Sequence, residues 1–217
     1  SSINYNYLNL PENINVSGGV VEYVYTASGI KLKNIHPDNT FSTYLGNFVF
    51  KENNELDYIL MDEGRLAVNG TEAKYEYFLK DHLGNTRVVF DEAGAVSTQI
   101  SHYYPFGMRF GNTSASSSNN NKYLYNGKEI QEELDWYDYG ARFYDPALGK
   151  FTTVDPMAHL RVSLTPYNFC SLNPINRIDP NGALDGWVED KETGELTWDE
   201  SVNSQEDFDK SNYDKDK

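Results

Sequence analysis

The 217-residue chain carries 33 Asp and Glu against 18 Lys and Arg, a formal net charge of −15. Nucleic acid and anionic membrane both demand a basic footprint, so neither fits as a direct partner. No apolar run approaches the roughly 18 residues of a membrane-spanning helix, and the N-terminus lacks the charged-then-apolar signature of a signal peptide.

Seventeen Tyr and 16 Gly, with many Asn, favour strands and turns over helices. The chain opens inside a pattern at Ser1-Ser-Ile-Asn-Tyr-Asn-Tyr7, as a fragment of a longer polypeptide would. Val20-Val-Glu-Tyr-Val-Tyr25 alternates like a half-buried strand and stops at Ser28-Gly29. Tyr58 to Met61 stops at Glu63-Gly64, Tyr75 to Phe78 at Leu83-Gly84-Asn85, and Thr86 to Phe90 at Ala93-Gly94. Lys122 to Tyr125 runs into Asn126-Gly127, a strong hairpin signal. Recurrent strand and Gly-turn units predict a repetitive antiparallel sheet.

Residues 111–122 are polar and of low complexity, which predicts a flexible loop. In Glu129 to Leu134 only Ile130 and Leu134 would share a helical face, so a turn or a strand entry is as good a reading as a helix. Trp136, Tyr137, Tyr139, Phe143 and Tyr144 read as sheet packing. Three Asp-Pro pairs follow, at 145–146, 155–156 and 179–180. Each proline fixes its own φ and holds the aspartate before it extended, which places an acid at a turn. The lone cysteine, Cys170, excludes an internal disulfide framework and reads as a buried structural thiol. Past Ala183 the character changes: residues 184–217 hold twelve acidic against four basic residues. Residues 184–198 could form one hairpin turning at 191–194, and most of the remainder is too poor in apolar residues to offset its ordering entropy.

Three blocks of the chain together resemble the C-terminal end of the RHS/YD-repeat core: Tyr77-Phe-Leu-Lys-Asp-His-Leu-Gly-Asn-Thr-Arg87, Tyr103-Tyr-Pro-Phe-Gly107, and Tyr123 through Gly182. That family of large bacterial β-cocoon proteins includes polymorphic toxins and insecticidal toxin-complex C subunits. The resemblance implies an all-β fold, a segment of a spiralling antiparallel sheet. It divides the chain into degenerate YD-repeat-like strands over 1–74, an RHS repeat-associated core over 75–183, and a variable acidic tip over 184–217. It implies a delivered bacterial protein used in competition, exported or displayed as part of a longer chain. Partners would be the chain's own C-terminal segment or a preceding RHS shell, and beyond these secretion machinery or an immunity protein.

In self-cleaving relatives two aspartates cut just after an Asp-Pro-x-Gly-Leu motif. Carried over, these are Asp155 and Asp179, with Ala183–Leu184 as the scissile bond. Apart from that carry-over, Arg142 reads either as an auxiliary whose guanidinium pairs with a carboxylate and sets which aspartate stays ionised, or as a structural Arg–Asp link across strands. Two close carboxylates cannot both ionise, so one would activate water while the other, protonated, polarises the carbonyl. The sequence departs from the cleaving pattern at Met157-Ala158 and at Ala183, where Leu is usual. Asp145 reads as a turn former. The four histidines show no ligand spacing, and no phosphate loop or other cofactor motif is present, so neither a metal nor a cofactor is expected. Three functions follow: an end-piece of an RHS shell around a C-terminal effector, a single-turnover aspartyl autoprotease, or a free-standing surface or adhesion β-domain.

Overall fold

A computed structural model describes residues 2–92, 97–110, 121–183, 187–189 and 196–198. The described residues contain no α-helix, and no helix long and apolar enough to cross a membrane. Eleven strands form one antiparallel sheet in strict chain order: β1 (Ile3–Tyr5), β2 (Pro11–Val16), β3 (Gly19–Tyr25), β4 (Lys31–Ile35), β5 (Phe41–Leu45), β6 (Phe48–Phe50), β7 (Leu56–Met61), β8 (Gly64–Asn69), β9 (Glu72–Lys80), β10 (Thr86–Asp91) and β11 (Ser97–Ile100). The expected boundary at 74/75 falls inside β9, and the sheet continues through it.

One turn recurs along this meander and again beyond β11. In segments 6–10, 26–30, 36–40, 51–55, 81–85 and 104–108 the first N–H donates to the fifth carbonyl, and the fourth N–H donates to the first carbonyl. The fourth residue is always Asn9, Gly29, Asn39, Asn54, Gly84 or Gly107, each with φ between 59° and 88°. Glycine and asparagine tolerate that left-handed conformation, which explains why Gly and Asn punctuate the sequence at these points. Side chains reinforce it: Asp81 Oδ1 accepts from the Leu83 and Asn85 N–H groups, and Asn6 Oδ1 from those of Leu8 and Leu10.

A second, four-stranded sheet comprises β12 (Glu129–Gln131), β13 (Trp136–Asp138), β14 (Phe143–Asp145) and β15 (Lys150–Phe151). Residues 129–134 therefore enter as a strand and then turn. Lys122 to Tyr125 differs from the expected strand, since Tyr123 makes only an isolated bridge to Glu129. The hairpin signal beside it holds: Asn126 and Gly127 both have positive φ, and the Lys128 N–H closes the tight turn on the Tyr125 carbonyl. A further pair, β16 (Trp187–Glu189) and β17 (Leu196–Trp198), is antiparallel, as the predicted hairpin requires. Its turn, most of the 111–122 loop and the rest of the acidic tip lie outside the described residues.

The small sheet packs an aromatic core of Tyr125, Tyr137, Tyr139, Tyr144, Phe151 and Phe169, with Cys170 buried among them. Tyr144 stacks on Phe169 at 4.0 Å between centroids. Phe143 points the other way, into Ile14, Val21 and Tyr23 of the large sheet. A polar seam binds the two sheets around that contact. Lys31 Nζ lies 2.6 Å from Glu129 and 2.7 Å from Asp138, and the Tyr44 hydroxyl donates to Glu129 at 2.8 Å. The Tyr23 hydroxyl and the Asn34 amide both donate to Gln131 Oε1, and His36 meets Glu133. Burial alone would lower the Lys31 pKa, but Asp138 and Glu129 outweigh it and hold the ammonium above its ordinary range.

Candidate functional site

The three Asp-Pro turns share one local geometry. Each aspartate accepts, through Oδ1, the N–H of the residue two ahead: Ala147 at 2.9 Å, Met157 at 2.8 Å and Asn181 at 3.3 Å. Asp145 also accepts from Leu148, and Asp179 from Gly182 at 2.7 Å. Proline sets the φ of the first turn residue, so the carboxylate is aimed at the N–H groups that follow. Asp145 is thus the turn former expected of it. Asp155 and Asp179 do the same work with one oxygen, which leaves the second oxygen to separate their roles.

Those second oxygens converge on Arg142. Its Nη2 lies 3.1 Å from Asp155 Oδ2 and 3.5 Å from Asp179 Oδ2. The guanidinium is fully enclosed, lies 3.7 Å over the Phe151 ring, and donates from Nη1 to the Pro166 carbonyl and from Nε to the Gly182 carbonyl. Sequence reasoning brought Asp155, Asp179 and Arg142 together, and they are together. Their arrangement differs from two carboxylates sharing a proton, because a cation sits between them.

Burial pushes the Asp179 carboxyl above its ordinary value, against the opposing pull of Arg142 and the Gly182 and Asn181 N–H groups. Burial likewise lowers Arg142 from its usual range, against Asp179 and Asp155. Lys128 adds a further cation by donating to the Pro180 carbonyl. Asp155 meets a second guanidinium, Arg161, whose Nη2 is 3.0 Å from the same Oδ2. Sequence reasoning missed Arg161, which follows a short 3₁₀ turn over Ala158–Leu160 and belongs to no motif.

The backbone past Asp179 is pinned as tightly as the carboxylates. The Ala141 N–H donates to the Asn181 carbonyl at 3.0 Å. Gly182 has φ +78°, and a Cβ there would lie 2.9 Å from Tyr139 Cβ and 3.1 Å from the Arg142 backbone nitrogen. Glycine is required at this position on both counts. Ala183 is the last described residue before the expected cut, and Leu184 lies outside the described residues. Cys170 is buried, and desolvation raises its thiol pKa well above the ordinary value, as for an inert structural cysteine. Among the described residues no group of His, Cys, Asp and Glu could hold a metal ion.

Comparison with solved structures gives the fold its context. The complex titled TcdB2-TccC3-Cdc42 aligns over 84% of this chain with a TM-score of 0.70 at 20% identity. A Tc holotoxin pore from Photorhabdus luminescens aligns over 91% with a TM-score of 0.68. The fold is RHS-like. No family model matches this chain. Curated relatives include Salivary gland surface protein 1 of Aedes aegypti, 33% identical over 51% of this chain, and Toxin subunit YenC1 of Yersinia entomophaga, 29% identical over 56%. A tRNA3(Ser)-specific nuclease WapA of Bacillus spizizenii is 26% identical over 77%. The chain spans 3%, 12% and 7% of those three proteins and about 10% of the solved chains.

Proposed function

We propose that this chain is the closing segment of an RHS-type β-shell, positioned before a variable C-terminal effector in a delivered protein. The observation that carries the reading is the strict chain order of the eleven-stranded sheet, capped by the small sheet that ends at the Asp-Pro turns. Such a sheet extends by adding hairpins at its first strand, and the small sheet covers one face near the chain's C-terminal boundary. Extension of the gene product upstream by its neighbouring residues should yield a soluble, monodisperse particle enclosing a cavity, visible by electron microscopy. A longer chain that remains an open, solvent-filled sheet overturns the reading.

A second reading, self-processing at Ala183–Leu184, is favoured by the convergence of Asp155 and Asp179 on Arg142 and by the pinned Asn181-Gly182 backbone. In that reaction water adds to the Ala183 carbonyl carbon, one carboxylate accepts the water proton, and the C–N bond breaks. The other carboxyl returns a proton to the Leu184 nitrogen, leaving a carboxylate on Ala183 and a free amine on Leu184. Asp179, whose pKa burial raises, suits the proton-donating role. Intact-mass measurement of the expressed chain tests this. A product ending at Ala183, lost in Asp155→Asn and in Asp179→Asn, supports it, and one uncut mass over days rejects it.

A further inference from the structure

We propose that Arg161 is a catalytic residue for this cleavage, holding the oxygen on which charge develops when water adds to Ala183. The inference rests on the self-processing reading and adds a group that the carboxylates and Arg142 do not supply.

The two guanidinium groups of the site are built differently. Arg142 is enclosed, and its nitrogens are committed to the Gly182 and Pro166 carbonyls and to both carboxylates. It holds the frame and reaches no atom of the bond to be cut. Arg161 Nη2 lies between Asp155 Oδ2 at 3.0 Å and the carbonyl oxygen of Ala183 at 3.4 Å. That oxygen belongs to the carbonyl that water would attack. The Arg161 side chain is only 10% exposed, so little solvent screens it.

The length of the contact carries meaning. At 3.4 Å a neutral carbonyl gains little from the donor. Addition of water turns the carbonyl carbon tetrahedral and places negative charge on the oxygen, and the fixed guanidinium then binds it more strongly than before. An interaction that strengthens between ground and transition state accelerates the step, whereas one of equal strength in both does not. Removing one such donor costs about 10²–10³-fold in rate in enzymes that stabilise an oxyanion. The salt bridge to Asp155 fixes where the guanidinium stands, so this pre-positioning depends on the carboxylate that the reaction also uses.

The test is a time course of cleavage of the full chain made by cell-free translation, with the cut fraction read by intact mass. Arg161→Ala should cleave at least about a hundredfold more slowly than the parent, while a circular-dichroism melt stays that of a folded β-protein. Methylguanidinium at millimolar concentration should restore part of the lost rate in Arg161→Ala and none in Asp155→Asn, a rescue that a purely structural ion pair would not give. Arg161→Lys keeps a cation beside Asp155 and covers the case in which the alanine variant fails to fold; it too is expected to be slow. Cleavage of either Arg161 variant at the parent rate, or a folded Arg161→Ala that methylguanidinium leaves unchanged, overturns the assignment while the self-processing reading stands. A parent chain that never cleaves overturns both.

Discussion

The large sheet and the block from 121 to 183 obey opposite building rules. In the sheet every strand pairs with its sequence neighbours, and a turn with Asn or Gly at its fourth position, which the block also contains at 124–128, joins strand to strand. In the block, buried charge is concentrated: Arg142, Asp155 and Asp179 are all enclosed and satisfy one another. The sheet distributes its stability over many equivalent hairpins, whereas the block depends on a few groups that have no substitutes. A lesion in the first should be local, and a lesion in the second should be global.

The sharpest attempt to break that contrast is Arg142→Met. It leaves two buried carboxylates without their shared cation and should cost about 3–5 kcal/mol, read as a fall in the urea midpoint; a loss below about 1 kcal/mol would refute the description of the block. Phe169→Ala, at the centre of the aromatic stack, should cost a comparable ~3–5 kcal/mol by the same measurement. Asp179 sharpens the comparison through pH. Its folded pKa is raised, so its contribution to stability is full below the ordinary carboxylate range and is lost as pH rises through the folded value. Asp179→Asn cannot titrate, so denaturant melts at stepped pH should show its stability gaining on the parent as pH rises, and a constant difference would contradict the raised value. Asp145→Ala, which removes a turn without touching Arg142, should cost about 1 kcal/mol. Smallest of all, Leu45→Ser on β5, where the side chain is 66% exposed, should shift stability by no more than about 0.5 kcal/mol.

The same division explains what the sequence revealed. The alternation of Val20 to Tyr25 became β3 with Val21 and Tyr23 buried, because strand faces follow a local period of two. Asn126-Gly127 and Asp145-Pro146 made their turns because backbone preference at one or two residues decides them. Asp155 and Asp179 came from resemblance, and Arg142 from the general affinity of a fixed guanidinium for carboxylates. The Lys31–Glu129–Asp138 seam was illegible, since its partners are 98 and 107 residues apart and nothing local at Lys31 announces a buried cation. Arg161 was illegible for a related reason: its meaning depends on where the Ala183 carbonyl arrives, 22 residues later. Tyr123 failed as a strand because its neighbours formed a tight turn at once, leaving no length for a ladder.

The polar seam has a kinetic consequence. The sheet can zip hairpin by hairpin, each step closing a short loop, whereas the bonds joining it to the small sheet span 85 to 108 residues. Loop closure over such separations is slow and is rewarded only after the local structure exists. Folding is therefore expected to be ordered in time, with the block docking after most of the meander has formed. Any bond-breaking centre housed in that block would then stay silent on the nascent chain and arm itself only when the architecture around it is complete.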